Sequence, residues 1–148
     1  MNKIPFYHIV RESSIKNGPS PLLLMVHGFG SNEEDLFSFS RSLPSELTIV
    51  SVRGPIDVQS MGYAWYDISV DYLGNKTYDT EKAIKSRDEI MKCIDGCVEI
   101  YNTDPNNVTL LAFSQGSILI NAVALTLSLI HISEPTRLLS ISYAVFCL

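Results

Sequence analysis

Cysteine is scarce in this chain, and the three present (Cys93, Cys97 and Cys147) make an odd number. That is too sparse for a disulfide framework. Cys93 and Cys97 lie four apart on an expected helix and so share a face, where they read as small buried apolar residues. A metal pair would need further ligands, and no metal site is expected. Positive charge is also short: eleven Lys and Arg stand against sixteen Asp and Glu, a net charge of −5, with no basic cluster. A nucleic-acid partner, which requires a basic face, is therefore excluded. The opening MNKIPFYHIVRESS has no signal-peptide apolar core, which makes a reduced, cytoplasmic location the default. There is no internal repeat. After Pro105 only Glu134 and Arg137 carry charge.

What is present is organised around Val108 to Leu125, VTLLAFSQGSILINAVAL. The apolar, β-branched run Val108–Phe113 follows the turn-rich Asn102–Asn107 and reads as a buried strand of a parallel sheet. Ser117–Leu125 reads as a buried helix. Ser114 then stands on a sharp strand-to-helix turn with small residues, Ala112 and Gly116, two before and two after it. This is the arrangement of a nucleophile elbow. A strained serine backbone lifts the hydroxyl clear of the sheet, and the flanking positions must be small because strand and helix pass close together there. Ser114 is read as a catalytic serine rather than an ordinary turn residue.

Phe6–Glu12 reads as an edge strand, Leu22–His27 as a second buried strand, and Leu47–Val52 as a third. Ser31 with Glu34 three residues on forms a capping box. It opens a helix over 32–43 expected to bury Leu36, Phe37, part of Phe39, and Leu43. Residues 56–78 show no period but hold the one tryptophan and four of seven tyrosines; such a loop is more often functional than decorative. Residues 79–101 predict a long amphipathic helix with Ile84, Ile90, Met91, Ile94, Cys97, Val98 and Tyr101 on its apolar stripe. Apolar strands alternating with helices imply an α/β fold, a mostly parallel sheet covered on both faces, with ligands at the strands' carboxyl ends. Gly28-Phe29-Gly30 and Ser114 both fall at such ends. The glycine-flanked loop taken alone is equally a tight turn feeding a helix. Together with the elbow, it favours an oxyanion hole built from the backbone N–H groups of Phe29 and Gln115.

LLLMVHGFGSNEEDLFSFSRSLP, then VRGP, GYAWYDI and DPNNVTLLAFSQG, in this order and spacing, resemble the phospholipase/carboxylesterase family of α/β-hydrolases, which includes acyl-protein thioesterases and small bacterial esterases. The resemblance covers about residues 5–125. It implies Ser114 as nucleophile, the amides of Phe29 and Gln115 as the oxyanion hole, and Trp65 and Tyr66 near an acyl pocket. The implied activity is hydrolysis of small-molecule carboxylic esters or thioesters without a cofactor. Ala112 departs mildly from the family's glycine.

In this fold an acid and then a histidine follow the serine in the chain. After Ser114 stand only His131 and Glu134, in the reverse order. A continuous helix would carry His131 roughly 25 Å from Ser114 at ~1.5 Å per residue. His27 must turn into the glycine-flanked loop and reads as structural, and His8 lies on the edge strand without catalytic context. Residues 1–126 therefore read as the N-terminal part of one α/β-hydrolase domain, truncated after the elbow helix, with an open sheet edge. Residues 127–148 read as a non-native apolar tail lacking the turns of a strand–helix unit; LIHISEPTR…SISYAVFCL resembles a translated sequencing-adapter read-through. A membrane anchor fits poorly, because Ser117–Ile132 is sixteen residues with Asn121 and His131 inside it, short of the about 18–20 a span needs. The first expectation is a serine hydrolase without its full triad, nearly inactive as written. The alternatives are an acyl-binding or partner-binding pseudo-enzyme and a different hydrolase, a peptidase or lipase.

Overall fold

The computed structural model describes residues 3–133 and 140–146, with backbone only from residue 128 onward. A five-stranded sheet forms its centre. In chain order its strands are β1 (His8–Arg11), β2 (Ser20–Val26), β3 (Thr48–Val52), β8 (Thr103–Phe113) and β9 (Ser140–Phe146), and in space they run β1-β3-β2-β8-β9. Only β1 is antiparallel to its neighbour. β2 is flanked on both sides and covered on both faces, which is why SPLLLMV is apolar almost without interruption.

Alternate side chains go to opposite faces. Leu22, Leu24 and Val26 join Val50, Val108 and Leu110 in the larger core, under α2 (Thr80–Tyr101) and α3 (Gln115–Ser133). Leu23, Met25 and Ile49 face the other way, toward Leu36, Phe37 and Leu43 on and after α1 (Glu33–Phe37). Burying each such aliphatic side chain contributes about 1.5–3 kcal/mol. The connection between β3 and α2 carries two small hairpins, β4 (Ile56–Asp57) with β5 (Tyr63–Ala64) and β6 (Ile68–Val70) with β7 (Lys76–Tyr78).

The register of the central strands brings three chain segments together. Val26 pairs with Val52 on one side and Ala112 on the other. Three parallel strands thus end at one level. The segments beginning at Arg53, His27 and Phe113 emerge side by side.

Several sequence expectations need correction. The helix over 32–43 stops at Phe37 and becomes a 3-10 turn, Ser38–Ser42. Ser38 Oγ donates to Asp35 O at 2.7 Å. The Arg11 guanidinium reaches across from β1 to the carbonyls of Ser40, Leu43, Pro44 and Leu47. A side-chain cation thus satisfies carbonyls at and beyond the end of the turn. Phe39 is 57% exposed. The cap is Asn32, whose Oδ1 accepts from Glu34 N at 2.8 Å, because Ser31 is held in a bridge to Tyr63 and its hydroxyl donates to Asp35. α2 starts on an Asp79 cap as its pattern predicts, but Ile84 is 46% exposed and the buried line runs through Ser86, Ile90, Cys93, Ile94 and Cys97. β8 begins at Thr103, earlier than expected, because Thr103 pairs with Ser20 across a shift in register. One strand also follows the elbow helix: β9 pairs with β8 from Asn107↔Ser140 to Phe113↔Phe146, so the edge expected to stand open beside β8 is occupied. Among the described residues no helix is long and apolar enough to cross a membrane.

Candidate active site

Ser114 joins β8 to α3 with φ +50°, a left-handed conformation that a serine adopts only when its surroundings impose it. The cause is crowding on either side. A Cβ on Gly116 would lie 2.6 Å from His27 O and closer still to Val26 O, so the start of α3 presses directly on the end of β2. Ala112, buried and paired with Val26, leaves no room for a larger side chain. The serine itself is exposed.

Gln115 follows it in the chain, and Phe29 lies one residue past Gly28 in the loop after β2. Gly28 abuts the elbow: a Cβ there would stand 3.3 Å from Ser114 Cβ and 3.0 Å from Phe113 Cδ1. The loop after β2 is fastened along its length. Gly30 N–H donates to Tyr63 O at 2.8 Å, Tyr63 N–H to Ser31 O at 2.7 Å, and Ser31 N–H to Gly28 O at 3.3 Å. Gly62, at φ +120°, allows this close approach, since a Cβ there would meet Gly30 O and Ser31 O at 2.8 Å. Among the described residues the Phe29 N–H has no acceptor. Gln115 opens α3, where the first N–H groups have no partner within the helix. Neither the Phe29 N–H nor the Gln115 N–H is used by another group among the described residues.

His27 lies beneath this loop, buried. Gly54 N–H donates to its Nε2 at 2.9 Å, which puts the ring proton on Nδ1, and Nδ1–H donates to Gly28 O at 2.6 Å. Burial pulls its pKa below the usual histidine value, against the opposing effects of the Gly28 bond and of Glu33 and Asp35. The ring is neutral and has both nitrogens engaged, as its structural reading requires. His8 is engaged elsewhere: Nδ1–H donates to Phe6 O at 3.0 Å and Nε2 accepts from Tyr101 OH at 2.8 Å.

Three features escaped the sequence reading. The Gln115 side chain clamps the aromatic loop: Oε1 accepts from Trp65 N at 2.9 Å, and Nε2 donates to Tyr66 O at 2.8 Å. Trp65 is wholly buried, its Nε1–H on His27 O at 2.8 Å and its ring against Phe6 and His27. Burial raises the Tyr66 pKa, and Tyr78 adds to it. Third, Glu33 is only 2% exposed and is bound through both oxygens by Arg53. Those bonds hold its carboxyl below the ordinary glutamate value and push Arg53 up. "EED" reads as a solvated first helical turn, and no local pattern signals a partner twenty residues away.

No group of three metal-ligating side chains gathers among the described residues. Cys93 and Cys97 are free and buried, and the bond to Cys97 together with burial pushes the Cys93 thiol up, away from reactivity. Apolar side chains dominate around the serine. Phe29 and Phe113 are each 37% exposed, and Met61 stands beside Gly30.

A family model described as phospholipase/carboxylesterase matches residues 10–139. Among solved structures the chain is similar to the Bacillus cereus carboxylesterase, with 24% identity, a TM-score of 0.65, and 80% of this chain and 53% of that one covered. It is similar to a protein of unknown function from Agrobacterium tumefaciens, with 23% identity, a TM-score of 0.70, and coverage of 86% and 58%. It also resembles Zea mays acyl-protein thioesterase 2, with 20% identity, a TM-score of 0.55, and coverage of 80% and 51%. These likenesses show the fold. The chain spans little more than half the length of the structures it matches. No curated protein matches it.

Proposed function

This chain belongs to the phospholipase/carboxylesterase family of α/β-hydrolases, and we propose that its crevice is built for acyl transfer from a carboxylic ester or thioester to Ser114. The supporting observation is the left-handed, exposed Ser114 at the turn beside the Gly28 loop, with the N–H groups of Phe29 and Gln115 unused among the described residues. In this reading Ser114 Oγ attacks the carbonyl carbon, and the N–H groups of Phe29 and Gln115 receive the charge that develops on oxygen. Each such donor is worth about 3 kcal/mol in the transition state. Their fixed geometry is the useful part, because no reorganisation is needed as charge appears. Trp65 and Tyr66 support the acyl side of the crevice through the Gln115 clamp. The apolar rim of Phe29 and Phe113 favours an apolar acyl group over a charged one.

The acid and base are a separate matter. His27 and His8 have both ring nitrogens bonded. His131 lies on α3, seventeen residues past Ser114, roughly 25 Å along the helix, far beyond the about 3 Å of proton-transfer reach. A polypeptide of these 148 residues therefore carries a nucleophile and an oxyanion hole without a general base. The engaged histidines also favour a second reading, an acyl-binding protein that does not turn over.

Release of p-nitrophenolate from a p-nitrophenyl ester tests both. A trace rate, lost in Ser114→Ala, is expected from the hole and binding alone. Sustained turnover lost in Ser114→Ala would overturn the missing base. Equal rates in the two proteins would overturn Ser114 as nucleophile.

A further inference from the structure

Arg53 follows directly on β3, and its guanidinium is held by a carboxylate and two tyrosine rings. Nε donates to Glu33 Oε2 at 2.6 Å and Nη2 to Oε1 at 2.5 Å. Cζ lies 4.2 Å from the Tyr7 ring centroid and 4.5 Å from that of Tyr63. Its own N–H donates to Tyr7 O at 2.9 Å. The carboxylate side of this ion pair is buried while the Arg53 side chain is 30% exposed, so its main effect is to fix geometry rather than to add stability.

What it fixes is the loop carrying Phe29. Glu33 opens α1, four residues past Phe29, and its carbonyl also receives Ser51 Oγ at 2.7 Å. Tyr63, whose ring lies on the guanidinium, is the residue whose main chain zips to Gly30 and Ser31. Arg53 thus grips both outer anchors of the Gly28–Ser31 segment, while His27 holds its inner end at Gly28 O. Phe29 N–H, like that of Gly28, has no acceptor among the described residues, whereas Gly30 and Ser31 are both bonded.

We propose that Arg53, acting through Glu33 and Tyr63, is a positioning residue that holds the Phe29 N–H where the oxyanion forms. The proposal rests on Ser114 being the nucleophile and Phe29 N–H an oxyanion donor. It requires arginine specifically, because lysine offers a point charge with neither the two-pronged fork for Glu33 nor the plane for the tyrosine rings.

The test is made on the full chain and needs no general base. Ser114→Cys supplies a thiol that ionises in mildly alkaline buffer. With p-nitrophenyl acetate its thiolate forms a C–S bond to the carbonyl carbon and the π pair moves onto oxygen. Collapse expels p-nitrophenolate and leaves a thioester. With iodoacetamide the same thiolate forms a C–S bond at the methylene carbon and expels iodide, and no oxyanion forms. The ratio of the two rates at residue 114, read by mass spectrometry of its peptide so that Cys93, Cys97 and Cys147 do not contribute, isolates the oxyanion hole.

In Ser114→Cys this ratio is expected to exceed that of N-acetylcysteine. Adding Arg53→Lys is expected to lower it about tenfold or more, part of the 10²–10³ that deleting a donor costs, with the alkylation rate unchanged. The near-isosteric Glu33→Gln is expected to act in the same direction and provides the test should Arg53→Lys fail to fold. A ratio in Ser114→Cys no higher than that of the free thiol overturns the oxyanion-hole reading itself. A raised ratio that neither Arg53→Lys nor Glu33→Gln changes overturns the positioning role alone, as does an equal fall in both rates, which marks general loss of structure.

Discussion

Gly28 and Ser114 touch at the ends of neighbouring strands, with room for only one side chain between them: a Cβ on Gly28 would stand 3.3 Å from that of Ser114. Gly116 is tighter, because its neighbours are the fixed carbonyls of Val26 and His27 rather than the movable ring of Phe113. Gly116→Ala is therefore expected to cost about 2–3 kcal/mol of stability by overpacking, and Gly28→Ala clearly less. Urea unfolding of the two variants checks the order.

Gln115→Ala is expected to strand two buried main-chain groups, Trp65 N–H and Tyr66 O. An orphaned buried donor or acceptor costs about 1–3 kcal/mol. The loss is measured by denaturant unfolding, and the single tryptophan reports it directly, since its emission should shift red as water reaches the loop.

Stability is expected to fall with acid in two steps. The folded pKa of His27 is below its ordinary 6.5 because of burial, so the unfolded chain takes up a proton that the folded one refuses. Stability is full above about pH 6.5 and declines as pH drops toward the folded value. Glu33 is depressed by its bonds from Arg53, so its contribution is present above the usual glutamate value of 4.5 and is lost below it. Unfolding free energy from pH 8 down to about pH 2 reads both steps, and His27→Gln should flatten the first.

Cys93 and Cys97 are expected to resist iodoacetamide in the folded chain and to react once it is unfolded in urea, since both are buried and the Cys93 thiol is held protonated. Rapid labelling of either in buffer would show that α2 does not pack as described.

The parts legible in the sequence are those written locally. β2, β3 and the elbow declare themselves as apolar runs ending in glycine or serine, and Phe29 and Gln115 follow from their places beside those ends. What stayed hidden is written across the chain. Arg11 ties down the segment after the short helix by reaching four carbonyls from another strand. Glu33 looks solvated until Arg53 arrives to bury it. The Gln115 side chain finds the loop at Trp65 fifty residues upstream. Helical periodicity placed Ile84 on the buried stripe, but in the first turns of α2 Ala83 and Ser86 take the buried side and leave Ile84 exposed. No window of sequence contains both members of any of these pairs.

The pairing of Val26 with Ala112 also carries a timetable. β2 is the sheet's central strand, but of its two neighbours only β3 follows it closely in the chain. On the ribosome one edge of the most apolar strand must wait through the synthesis of β3, both hairpins and α2 before β8 emerges to cover it. Pairings this distant in sequence close slowly and leave unpaired edges exposed meanwhile. The crevice is thus among the last features of the fold to exist, and the stretch between Val52 and Val108 is the interval in which the edge of β2 stands open.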